Sequence, residues 1–95
     1  MEVAGMQDEL RTDEYRISIS REIQVCKNMI ERQLKDIARF EKEYGLATER
    51  LLAGELPQGG VDAARLKAWR DDQAGLLAWQ QRLREYEEAY AALRR

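Results

Sequence analysis

The sequence predicts an all-α protein: a long antiparallel helical hairpin with coiled-coil packing, assembling into a four-helix bundle. Three observations predict it. Apolar residues recur at alternating intervals of three and four through two long stretches, the repeat of a left-handed coiled-coil seam. Helix breakers are scarce, one proline and six glycines in 95 residues, and the proline and four of the glycines lie between those stretches. Apolar residues make up 44% of the chain and charged residues 36%, a balance typical of long amphipathic helices.

The elements follow in order. Residues 1–13 are polar and weakly patterned, so a flexible N-terminal arm is expected there. The hairpin then covers residues 14–95. Its first helix, residues 14–44, places Ile19, Ile23, Cys26, Ile30, Gln33, Ile37, Phe40 and Tyr44 on one stripe. Gly45 followed by Leu46 has the pattern of a left-handed helix stop. Thr48 is expected to cap a short helical turn over residues 48–53, carrying Leu51 and Leu52. Residues 54–60, which contain Pro57, Gly59 and Gly60, form the connector. A second long helix over residues 61–94 begins with Asp62 in its first turn and closes on arginines, which suits the helix dipole. Trp69, Asp72, Leu76, Trp79, Leu83, Tyr86, Tyr90 and Leu93 form its stripe.

A short connector forces the two helices antiparallel. Phe40 is then expected opposite Trp69, Ile30 opposite Trp79, Cys26 opposite Leu83, Ile23 opposite Tyr86 and Ile19 opposite Tyr90. Gln33 falls beside Leu76, and Ile37 beside Asp72. The two polar seam positions weaken packing and can fix register. At 1.5 Å per residue the hairpin is roughly 40–50 Å long.

One hairpin shelters a single narrow stripe on each helix. Val25, Met29 and Leu34 flank the stripe on the first helix, and Leu66 and Leu77 flank it on the second. Five such side chains left in water forgo on the order of 10 kcal/mol, comparable to the whole stability of a small domain. The flanks are therefore expected to be covered by a second copy or by another protein, with Val25, Met29, Leu34, Leu77 and Trp79 as contact residues. Trp79 is weighed equally as an anchor and as core filling, whereas Trp69 is read as core.

The same residues argue against other functions. The chain has no histidine, which removes the commonest general base and metal ligand, so no enzyme is expected. A lone cysteine builds no zinc cage, and no catalytic, metal or cofactor-binding residue is assigned. Glu41, Glu43, Glu85, Glu87 and Glu88 are interleaved with basic residues and read as a solvated face. Cys26 lies on the seam and reads as a buried structural thiol. Gly59-Gly60 follows no strand and is no phosphate loop. The N-terminus lacks the basic start and apolar core of a signal peptide, and no apolar run approaches the roughly 20 residues needed to cross a bilayer. A cytoplasmic protein with no membrane partner is expected.

Tyr15-Arg16-Ile17-Ser18-Ile19-Ser20 alternates as a strand does. A strand ahead of helices opens the ribbon-helix-helix DNA-binding dimers, so a DNA-binding autoregulator using residues 15–20 is the alternative reading. Against it stand a net charge of −2 and a following helix too long for that fold; the first turns of the long helix are the preferred reading.

Glu43-Tyr44-Gly45-Leu46, Thr48-Glu49-Arg50-Leu51-Leu52, Gly54-Glu55-Leu56 and Trp69 carry a resemblance over roughly residues 35–85. The chain resembles a group of small prokaryotic helical-hairpin proteins that look like antitoxin-like or accessory members of two-gene toxin–antitoxin modules. It departs from their pattern at Pro57-Gln58-Gly59-Gly60, where an acidic connector is usual, and at Leu51-Leu52, where an aromatic is usual. The resemblance implies a protein–protein interaction module, antitoxin-like or an adaptor, with a toxin as partner. The residues alone imply a homodimer or a complex with another protein, or else a purely structural self-assembling coiled coil.

Overall fold

A computed structural model of the chain describes the backbone of residues 2–93 and the side chains of residues 13–93. Three helices follow one another: α1 (Glu2–Tyr44), α2 (Thr48–Leu52) and α3 (Ala63–Leu93). No strand occurs among the described residues. The two long helices pack on each other. Phe40 stacks on Trp69 at one end, and Ile23 and Tyr90 line one groove towards the other, so α1 and α3 run antiparallel. The fold is the all-α helical hairpin. Its long axis measures 71 Å and its other two extents 18 Å each. A 43-residue helix spans about 65 Å at its normal rise, so α1 sets the length.

The stripe residues are buried to different depths. Ile19, Cys26, Ile37, Trp69 and Leu76 are buried, and Ile23, Ile30, Phe40, Trp79, Leu83, Tyr86 and Tyr90 are half-buried. A pair of helices covers each stripe from one side only, which leaves the larger side chains wetted at their edges.

α1 begins at Glu2, so residues 2–13, expected as a flexible arm, carry helical backbone. Gly5 is the only strong breaker there, and one interior glycine costs about 1 kcal/mol, too little to stop a long helix. α1 ends where expected. Gly45 takes φ 61°, and the Leu46 N–H donates to the Glu41 carbonyl at 3.3 Å, closing a Schellman motif. α2 ends the same way, with Gly54 at φ 103° and the Glu55 N–H donating to the Arg50 carbonyl at 3.1 Å. Gly45→Ala is expected to cost about 1–2 kcal/mol, because a Cβ disfavours that left-handed conformation. The urea midpoint measures it, and a midpoint equal to wild type would show that the stop is dispensable.

Thr48 is not the cap of α2. Ala47 holds the cap position with no side-chain bond, and the Glu41 carboxylate reaches across to accept the Thr48 N–H at 2.7 Å. The threonine hydroxyl instead accepts from the Trp69 indole N–H at 2.9 Å, in a buried position. Trp69 stacks with both Phe40, 5.5 Å away and nearly parallel, and Tyr44, 5.7 Å away. Leu46 and Leu51 complete this cluster, with Leu66 packed against it. The tightest core is thus at the hairpin tip and not along the seam. Leu66, expected as a flank residue, is absorbed there.

Arg65 holds the start of α3 on α1. Its guanidinium donates to the Tyr44 hydroxyl at 2.7 Å and to the Glu43 carboxylate, and lies over the Phe40 and Tyr44 rings. α3 starts at Ala63, not Val61. Asp62 is its cap: the carboxylate accepts the N–H groups of Ala64 and Arg65 at 2.8 and 3.2 Å. Asp62→Ala is expected to lower stability by about 1 kcal/mol. Chemical denaturation reads this directly, and a change within a few tenths would exclude the cap as a contributor.

Candidate interaction surface

Two grooves identify the two flanks of the hairpin. Ser20, Lys27, Glu87 and Ala91 line one, beside Ile23 and Tyr90. Asp36, Arg39, Glu43 and Asp72 line another, beside Phe40 and Arg65, enclosing about 310 Å³. Residues seven apart on a coiled-coil helix share a flank. Leu34, seven residues after Lys27, therefore lies on the first flank. Leu77, three residues before Gln80, which is itself seven before Glu87, lies there too. Met29, seven before Asp36, lies on the second flank, with Val25 one turn behind it.

The expected contact residues thus divide between opposite sides. Leu34 and Leu77 are 49% and 56% exposed, and Val25 is 44% exposed. Met29 is half-buried. Trp79 is also half-buried, with the Arg82 guanidinium over its ring at 5.0 Å. The antiparallel register puts Leu34 and Leu77 at the same height, one on each helix, so this pair forms a patch that crosses the seam. Val25 and Met29 belong to α1 alone.

Other apolar side chains reach water. Leu52 and Leu56 are exposed at the tip, and Tyr15 and Ile17 near the far end. The tip leucines sit outside any heptad, so periodicity could not single them out. Residues 15–20 are helical, which takes away the strand that a DNA-reading ribbon needs. Ile19 is buried on the seam and Arg16 half-buried, while Ser18 and Ser20 are exposed. The same alternation fits helix because nothing before Gly45 turns the chain.

Cys26 is fully buried. Burial pushes its thiol up from the ordinary range, and Glu22 adds to this, so the reactive thiolate is suppressed. Among the described residues no group of three or more His, Cys, Asp or Glu side chains is placed to hold a metal, and no helix is long and apolar enough to cross a membrane. Surface ion pairs are local: Glu31 with Lys35, Lys67 with Asp71, and Arg50 with Glu55, which draws the Glu55 carboxyl below its usual range. Compared with known proteins, the chain matches no family model, no curated protein and no solved structure.

Proposed function

We propose that the hairpin is a protein–protein interaction module that pairs with a second copy of itself through the Leu34–Leu77 flank, forming a four-helix bundle. The observation that carries this reading is the placement of two exposed leucines, one from each helix, at one height of the hairpin. A flank as long as α3, 31 residues, and 18 Å wide offers about 800 Å² per copy, the area of a standard stable interface. A two-fold axis through the patch sets leucine against leucine, which is the self-complementarity a symmetric dimer needs. Sedimentation equilibrium at micromolar concentration tests it. A dimer mass is expected; a monomer at every concentration would overturn the reading, and a mixed complex with a different protein would reassign the flank to that partner.

The antitoxin-like role draws on the resemblance. The residues that carry the resemblance are those that fold the tip: Gly45 and Gly54 end helices, Thr48 binds Trp69, and Leu51 is core. What they support is a common tip, and partner choice is left to the flanks. Co-expression with the product of the adjacent gene tests the role: relief of that product's toxicity supports it, and unrelieved toxicity counts against it.

A further inference from the structure

Two seam positions are polar, and the structure brings them together. Gln33 was expected beside Leu76 and Asp72 beside Ile37; instead the Gln33 amide, turned with its nitrogen towards α3, donates to the Asp72 carboxylate and to the Asp72 carbonyl, both at 3.1 Å. The approach depends on Gly75, one turn further along α3. A Cβ there would come within 2.8 Å of the far end of the Gln33 amide, its oxygen in this orientation. Three residues therefore form one polar layer in an otherwise apolar seam, and a slide of either helix by a heptad would set Gln33 and Asp72 against apolar side chains.

The layer is reached by solvent. Asp72 opens onto the groove lined by Asp36, Arg39, Glu43 and Arg65. The cations around it are engaged elsewhere: Arg39 with Asp36, Arg65 with Glu43, and Lys67 with Asp71. Asp72 thus keeps a half-buried charge beside the carboxylates of Asp36 and Asp71, with one neutral amide as its donor. We propose that Gln33, Asp72 and Gly75 form a register lock that tightens on proton uptake by Asp72. A protonated Asp72 donates its O–H to the Gln33 amide oxygen once the amide turns over, so the layer stays hydrogen-bonded in both states while the buried charge disappears.

The sign follows from linkage. Burial first, then Asp36 and Asp71, hold the Asp72 carboxyl above its usual range in the folded chain. Between the unfolded and folded values the native state binds the extra proton, so stability rises as the pH falls. The pair of Arg50 with Glu55 acts in the opposite sense and only at lower pH, since Glu55 is drawn down. The lock is independent of what covers the flanks.

Thermal unfolding of the full chain at one fixed concentration tests it. The wild-type midpoint is expected to rise as the pH falls from about 7 towards the ordinary carboxylate range. Asp72→Asn should be flat over that window and match the acid level of wild type, and Asp36→Asn should reduce the rise while leaving the larger part that burial supplies. A wild-type midpoint that does not rise, or an Asp72→Asn variant that keeps the full rise, overturns the proposal.

Discussion

Replacing Trp69 with alanine lowers the stability of the hairpin by about 3–5 kcal/mol, the cost of emptying a large aromatic site. Trp69 is completely buried, stacks with Phe40 and Tyr44, and touches both Leu46 and Leu51. Those contacts come from α1, α2 and the turn between them, while Trp69 itself belongs to α3, so no neighbour can collapse into the space without moving a helix. The loss approaches the whole stability of a small domain, and the expected result is a chain largely unfolded at room temperature. Two companion variants divide the effect. Trp69→Phe keeps a ring beside Phe40 and Tyr44 but strands the Thr48 hydroxyl, which costs about 1–3 kcal/mol. Thr48→Val keeps the ring and removes the acceptor, leaving the indole N–H buried and unpaired at a similar cost. Chemical denaturation followed by far-ultraviolet circular dichroism measures all three. If Trp69→Ala stayed within 1 kcal/mol of wild type, the seam alone would be holding the hairpin and the tip would be ornament.

The weight on the tip explains which parts of this protein are legible in its sequence. Periodicity is a local property, so the seam from Ile19 to Tyr44 and from Trp69 to Leu93 is readable as two heptad runs. So are the Gly45 stop and the connector, because breakers act on their own backbone. The pairing of Phe40 with Trp69 follows from antiparallel register alone. What local pattern does not contain is the return of α2 and the turn before it over the seam. That return buries Leu46 and Leu51, makes Thr48 a partner of Trp69, and draws Leu66 off the flank into the core. The polar layer was hidden for a similar reason. An apolar repeat leaves the meeting of Gln33 with Asp72 to fine register, and the space that permits it is a missing side chain at Gly75. The flanks divide unevenly as well. Their apolar residues can be counted from the sequence, but which ones share a side depends on how α1 and α3 face each other.

That division of the flanks makes the second large prediction specific. Leu34→Glu is expected to dissociate the proposed dimer, and Leu34→Glu with Leu77→Glu to leave only monomer at any practical concentration. Each substitution acts twice in a symmetric pair. Leu34 is 49% exposed in one chain, so covering it contributes about half of the roughly 1.5–3 kcal/mol of a whole leucine, and two withdrawn by a single substitution cost about 1.5–3 kcal/mol. At 1.4 kcal/mol per tenfold that weakens association by a factor of at least about 10, before any cost of burying a carboxylate without a partner. Both positions are more than half or nearly half exposed within one chain, so the isolated hairpin tolerates glutamate there and helicity is retained. Val25→Glu supplies the contrast. It places the same charge on the same helix, at similar exposure, but on the opposite flank, and the mass is expected to remain that of a dimer. Sedimentation equilibrium on the three variants separates the possibilities. If Val25→Glu gives monomer and Leu34→Glu does not, the bundle is built on the Val25–Met29 side, where only α1 contributes large apolar groups. If none of them changes the mass, the association does not run through the helical flanks, and the exposed tip leucines, Leu52 and Leu56, become the contact to examine by the same substitution.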